Sequence, residues 1–155
     1  RIAKNPTYLP VLLIHGYGCN SGYWHSMSKV LMQANITHYA IDMEPVFGTI
    51  DAYAPIVHDT VEAMCTDTGH DRIVIVAHSM GGLAARAYLR DHGSTRIARI
   101  ITLGTPHYGT GLANFGPGIN SQQMRWKGNG QHGKSSSWLY QLADREDCAT
   151  SALFV

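Results

Sequence analysis

Apolar residues follow two different patterns along this chain. Short apolar runs such as residues 73–76 (I-V-I-V) lack polar positions, which is typical of a strand buried on both faces of a parallel sheet. Between the runs lie longer segments, such as residues 83–89, whose apolar residues recur at helical spacing. The patterns predict strands near 11–15, 38–42, 72–77, 99–104 and 150–155, and helices near 21–34, 51–68, 80–92 and 137–144. We expect one mostly parallel sheet, with helices on both faces and the strand of residues 73–76 at its centre.

Polar residues and glycines at the ends of the predicted helices predict how these helices begin and end. Ser21 and Asp51 precede apolar periodic segments, so we expect them to be N-caps. Gly69 and Gly93 follow such segments, and we expect each to end a helix.

The turn between the strand at 72–77 and the helix at 80–92 carries Ser79. A turn this tight strains the serine backbone and requires small neighbours, a demand that Ala77 and Gly81 meet. The turn places the hydroxyl at a helix N-terminus, where free N–H groups stabilise a developing oxyanion. The alternative is a serine that only N-caps the helix. The position between a buried strand and an amphipathic helix favours a nucleophile.

A second strand-to-helix connection, residues 15–20 (H-G-Y-G-C-N), follows the strand near 11–15. In parallel sheets ligands bind beyond the carboxyl ends of the strands, and His15, Ser79 and Thr105 all lie at such ends. The alternative is an ordinary glycine-containing turn without a role in chemistry.

Three segments carry a family resemblance. A-H-S-M-G at 77–81 resembles the nucleophile elbow G-x-S-x-G of α/β-hydrolases, in the alanine-first form of small bacterial lipases. H-G-Y at 15–17 resembles the oxyanion loop of lipases. L-G-T-P-H-Y-G-T at 103–110 resembles a segment of bacterial triacylglycerol lipases and related esterases. Y-G-C-N and E-P-V-F-G are similar to lipase-like hydrolases of betaproteobacteria, so the resemblance covers residues 10–112.

The resemblance implies an α/β-hydrolase fold and a serine carboxylic-ester hydrolase that acts through an acyl-enzyme on a small acyl ester or a lipid. A thioesterase, an acyltransferase, or a non-catalytic truncated domain that at most binds acyl groups remain alternatives. The implied residues are the nucleophile Ser79, the backbone N–H donors of Tyr17 and Met80 in the oxyanion hole, and a pocket lined by His15, Gly16, His78, Thr105 and His107.

Composition limits the other function classes. The chain has 155 residues, of which 45% are hydrophobic, enough for one domain with a core, and its net charge of +1 gives no electrostatic case for nucleic acid. No apolar run is long enough for a transmembrane helix. Three widely spaced cysteines predict neither a disulfide framework nor a zinc site, and they leave the compartment undetermined. We expect no metal and no cofactor.

The catalytic acid and histidine are expected after Val155, because the α/β-hydrolase order is serine, acid, histidine. The chain begins with Arg1 and ends on an apolar segment, so residues 1–155 are predicted to be an incomplete domain, truncated before its C-terminal strands. A less favoured alternative uses His107 as the base, with Asp144 or Asp147 as the acid.

Residues 106–137 lack the strand and helix patterns of the preceding segments. They are predicted to form an irregular, lid-like excursion over the active-site face, and a plain surface loop is the alternative.

Overall fold

Four parallel strands form the main sheet in the described part of this protein. The computed structural model describes residues 7–114, 116–127 and 134–144. The strands are β1 (Val11–Ile14), β2 (His38–Ile41), β3 (Ile73–His78) and β4 (Ile97–Leu103), in the order β2-β1-β3-β4. Strand β3 pairs with β1 on one side and with β4 on the other, so the predicted parallel sheet and the interior position of β3 are confirmed.

Helices connect the strands in the predicted order. The helices are α1 (His25–Gln33), α2 (Tyr53–Thr68), α3 (Met80–His92), α4 (Ile119–Gln123) and α5 (Ser137–Asp144), with 3-10 turns at Ser21–Trp24, Ile50–Ala52 and Gly111–Asn114. The strand predicted near 150–155 lies outside the described residues. Within the described part of the chain, no helix combines the length and apolar character needed to cross a membrane.

The two faces of the sheet are buried to different extents. On one face, Ile73 and Ile75 are fully buried in the core formed with α2 and α3. On the other face, Val74 and Val76 are only partly buried and pack in a smaller cluster with Trp24 and residues of α1. The prediction that residues 73–76 are buried on both faces therefore holds fully for one face only, because the second cluster is much smaller.

Both predicted N-caps were wrong. The cap before the first helical turn is Asn20, whose side chain accepts from the Gly22 N–H at 2.9 Å, and not Ser21. The cap before the second is Thr49, which accepts from the Ala52 N–H at 3.1 Å, and not Asp51. Both α1 and α2 are preceded by a 3-10 turn, so the extended backbone that a cap requires lies upstream of the predicted residue.

The predicted helix ends are confirmed at Gly69 and Gly93, which have φ of +73° and +75°.

The excursion at residues 106–137 contains short regular elements where an irregular segment was predicted. Its described parts contain the 3-10 turn Gly111–Asn114, α4, and the antiparallel strands β5 (Trp126–Lys127) and β6 (Lys134–Ser135). These elements are too short to produce a periodic pattern in the sequence. A lid function for the excursion stays a prediction.

Candidate active site

Ser79 has a strained backbone at the junction of β3 and α3. Its φ of +51° and ψ of −123° lie where side chains other than glycine are disfavoured, at a cost of about 1–3 kcal/mol. Hydrogen bonds from its N–H to the Leu103 carbonyl (2.8 Å) and from the Gly82 N–H to its carbonyl (3.1 Å) hold this conformation. The serine is thus fixed between an interior strand and the first turn of a helix.

Two glycines after Ser79 allow α3 to begin directly against the sheet. A Cβ atom on Gly81 would lie 2.6 Å from the carbonyl oxygens of both Ile14 and His15. A Cβ atom on Gly82 would overlap the side chain of Thr105. The requirement at Gly81 follows from the predicted turn, but the requirement at Gly82 depends on the loop after β4 and was missed. The glycine pair itself was the available signal.

The loop after β1 packs on the same turn. A Cβ atom on Gly16 would lie 2.9 Å from the Cβ of Ser79 and 2.9 Å from Nδ1 of His78. The Cys19 N–H donates to the Gly16 carbonyl at 3.3 Å, which closes a turn around Tyr17. The segment that contains Tyr17 therefore meets the elbow, where Met80 is the first residue of α3. The first N–H groups of a helix have no partner within the helix.

His15 connects this loop to the residue that follows Asp42 after β2. It is 3% exposed, and its Nε2 accepts from the Met43 N–H at 2.9 Å. Because Nε2 is the acceptor, Nδ1 carries the proton of the neutral ring and donates to the Gly16 carbonyl at 2.8 Å. Both ring nitrogens are engaged, so His15 is a buried link between the loop and the end of β2.

Asp42, at the end of β2, holds the far end of the same loop. Its carboxylate accepts from the Ser21 N–H at 2.6 Å, and this hydrogen bond lowers the pKa of the Asp42 carboxyl. The two links from the end of β2, through His15 and Ser21, fix both ends of the loop.

The other two predicted pocket residues at the elbow are His78 and Thr105. The His78 ring stacks on Tyr23, with centroids 4.5 Å apart and planes inclined by 19°. His78 Nδ1 and Thr105 Oγ1 are buried, and neither atom has a hydrogen-bond partner in the described part of the chain. Tyr23 was missed because nothing in the pattern of residues 21–34 places its ring against β3.

His107 contacts the scaffold beside the elbow. Its Nδ1 lies 3.5 Å from Nη1 of Arg86, and its Nε2 lies 3.3 Å from the Thr102 hydroxyl. Arg86 also donates to the His107 carbonyl at 3.2 Å. Since a guanidinium only donates, Nδ1 of His107 accepts and Nε2 carries the proton. Arg86, at 6% exposure, was missed, although an arginine flanked by alanines on both sides is an available signal.

Sequence and structure comparisons relate this arrangement to known proteins. A family model described as "Alpha/beta hydrolase family" matches residues 11–150. A triacylglycerol lipase of Pseudarthrobacter phenanthrenivorans is 28% identical over 122 residues, which are 70% of this chain and 36% of that protein. The non-heme chloroperoxidase CPO-A1 of Kitasatospora aureofaciens is 29% identical over 102 residues, 61% of this chain and 36% of that protein.

Among solved structures, the mature Bacillus licheniformis lipase BlEst2 superposes with a TM-score of 0.77 at 18% identity, covering 93% of this chain and 61% of the lipase. At 18% identity, this structural similarity establishes the fold alone. The chain spans about a third of the length of the curated relatives that it matches.

Proposed function

Because the chain belongs to the α/β-hydrolase family, we propose that it carries the nucleophile of a lipase- or esterase-like serine carboxylic-ester hydrolase. The observation that carries the proposal is Ser79, held at φ +51° between β3 and α3. Strain of this kind persists only where surrounding contacts impose it, and it is common at active sites. The triacylglycerol lipase among the curated relatives supports the same class of chemistry.

The proposed reaction has two steps. The Ser79 hydroxyl oxygen attacks the acyl carbonyl carbon as a general base takes its proton, and the carbonyl electrons move to the oxygen. The oxyanion is stabilised by the N–H groups of Tyr17 and Met80, each contributing about 3 kcal/mol. Collapse of this intermediate expels the alcohol, which takes the proton from the base. Water then attacks the acyl-enzyme, and the carboxylic acid and free Ser79 are released.

The base and the acid are not assigned to the described residues. His15 and His107 have both ring nitrogens within reach of other protein groups, and the His78 ring is stacked on Tyr23. The family order of serine, acid, histidine puts both residues after Ser79. Their position after Val155 stays a prediction.

Apolar side chains support an acyl ester or a lipid as the substrate class. Phe47 is 49% exposed and Ile119 is 52% exposed, and the two residues are joined by a hydrogen bond from the Ile119 N–H to the Phe47 carbonyl at 3.3 Å. Phe47 also packs on Tyr17, the proposed oxyanion residue, with ring centroids 6.0 Å apart. An apolar surface beside an oxyanion donor suits an acyl chain better than a charged substrate.

Ester hydrolysis by the intact protein tests the proposal. We expect Ser79→Ala to lower the hydrolysis of nitrophenyl acetate and nitrophenyl octanoate at least about a thousandfold, because the nucleophile is lost. Ser26→Ala, an exposed position on α1, is the matched control and should retain full activity. Parallel assays with a thioester, and with an added alcohol as the acyl acceptor, separate an esterase from a thioesterase or an acyltransferase. Ester hydrolysis that survives Ser79→Ala would contradict the proposal.

A further inference from the structure

The side chain of Tyr17 connects the loop after β1 to the excursion. Its hydroxyl donates a hydrogen bond to the Pro117 carbonyl, 100 positions away in the sequence. The neighbouring Gly116 leaves room for this contact, since a Cβ atom there would lie 3.0 Å from the hydroxyl oxygen. Tyr17 is therefore held by a distant segment, although its proposed chemical role belongs to its backbone N–H.

The acceptor of this hydrogen bond has a fixed position. The Ile119 N–H donates to the Phe47 carbonyl at 3.3 Å, and the Asn120 N–H donates to the Gly48 carbonyl at 3.1 Å. Gly118 has φ of +94°, and a Cβ atom on it would lie 2.7 Å from the Cβ of Phe47. The backbone around Pro117 thus lies directly against the loop that follows β2.

The buried side chain of Asn120 stabilises the contact between the Pro117 segment and the loop that follows β2. It is 0% exposed, and its amide nitrogen donates to the Val46 carbonyl at 2.8 Å and to the Tyr53 hydroxyl at 3.3 Å. Its amide oxygen accepts from the Ser121 N–H at 2.8 Å. The Tyr53 hydroxyl in turn donates to the Pro45 carbonyl at 2.6 Å. A buried amide whose donors and acceptor are all satisfied favours one geometry, because any displacement leaves polar groups unpaired.

We infer that Tyr17, through its hydroxyl, and Asn120 are positioning residues. Their contacts connect the loop after β1 to the excursion and so orient the Tyr17 N–H toward the oxyanion. The inference rests on the proposed function. Besides the links from the end of β2 at its two ends, the loop is set by the packing of Gly16 on Ser79 and by the hydrogen bond from the Tyr17 hydroxyl to Pro117. A displacement of about 1 Å in a reacting site lowers the rate on the order of a hundredfold. Loss of the hydrogen bond that fixes Tyr17 should therefore lower kcat measurably.

Tyr17→Phe in the intact protein tests the inference, since it removes the hydroxyl and keeps the ring and the backbone donor. We expect kcat for nitrophenyl esters to fall about three- to tenfold, the effect of one neutral hydrogen bond. KM should stay within about twofold, because the donor acts mainly on the transition state. The inhibition constant of a trifluoromethyl ketone, whose adduct with Ser79 carries an oxyanion, should rise by the same factor as kcat falls.

The matched control is Tyr39→Phe on β2. It removes a hydroxyl that donates to Oδ2 of Asp67 at 3.0 Å. It should leave kcat and the inhibition constant unchanged. If Tyr17→Phe also leaves both unchanged while Ser79 reacts with the ketone, the positioning inference is wrong and the proposed function stands. If Ser79 does not react in the wild-type protein, the proposed function itself fails.

Asn120→Ala gives a second, independent test, assayed well below the melting temperature of each variant. We expect it to lower kcat in the same direction as Tyr17→Phe. In the Tyr17→Phe background it should add less than about a twofold change, because the link that it supports is already cut. Two effects that multiply fully would show that the residues act separately, and would overturn the inference.

Discussion

The elbow and the excursion differ in how much of their structure is local in sequence. At the elbow, β3, Ser79 and α3 are continuous in sequence, and the close packing depends on two consecutive glycines. In the excursion, α4 has five residues and β5 has two. Elements this short are not stable on their own, so contacts with distant residues must stabilise them.

Asp51 supplies several of those distant contacts. Its carboxylate accepts from Nε1 of Trp138 at 2.7 Å and from the Gln123 side chain at 3.3 Å, and it forms an ion pair with Arg90 at 2.7 Å. The Gln123 side-chain oxygen accepts from the Ile50 N–H at 2.7 Å. The residue predicted to be a helix cap instead links α3 to both α4 and α5. The elbow thus combines a chain path that is local in sequence with close packing at glycines, whereas the excursion depends on a few long-range polar contacts.

The largest effect is expected at the elbow, from Gly81→Ala. The new methyl group would meet two backbone oxygens, which cannot move aside as a flexible side chain can. We expect the free energy of unfolding to fall by about 3 kcal/mol and ester hydrolysis to be lost, as measured by denaturant unfolding and an activity assay. Gly111→Ala is the control, because a Cβ atom there meets nothing within 4 Å, and it should change stability by less than about 1 kcal/mol. Equal losses of unfolding free energy for the two substitutions would show that the close packing at Gly81 has no special importance for stability.

The same contrast explains how much the sequence could predict. The strand–turn–helix pattern around Ser79 is periodic and local, so β3, α3 and the small residues of the turn could be predicted from it. The contacts of Asn120 and Asp51 join single polar residues across more than 60 positions and leave no periodic pattern. The N-caps were each placed one or two residues late, because 3-10 turns shift the start of the helical backbone.

A smaller effect, confined to α4 and α5, is expected from Asp51→Ala. Loss of the carboxylate leaves Trp138 and Gln123 without this acceptor and Arg90 without this ion pair, at a cost of about 1–2 kcal/mol at this partly exposed site. Amide hydrogen exchange should accelerate in α4 and α5 and stay unchanged in β3. Asp67→Ala, which removes the acceptor of Tyr39, is the control and should leave exchange in α4 and α5 unchanged. Acceleration spread evenly over the whole sheet would mean that the excursion is not stabilised separately.

The smallest effect distinguishes the two candidate caps of the first helical turn. Asn20→Ala should lower the free energy of unfolding by about 1 kcal/mol, because the Gly22 N–H loses its acceptor. Ser21→Ala should cost less, since the substitution removes only the side-chain contact with Asp42 and retains the backbone N–H that donates to the same carboxylate. Thermal unfolding of both variants decides between them, and a larger loss for Ser21→Ala would restore the predicted cap.

Covalent labelling of the intact protein with a fluorophosphonate tests the central claim, that the elbow presents Ser79 as a nucleophile. The serine oxygen displaces fluoride from phosphorus, and the resulting ester is stable enough for peptide mass spectrometry. We predict one adduct per chain, located on Ser79, formed more slowly in the presence of an ester substrate and absent from Ser79→Ala. An unlabelled Ser79, or an adduct on a different residue with Ser79 unmodified, would contradict the account.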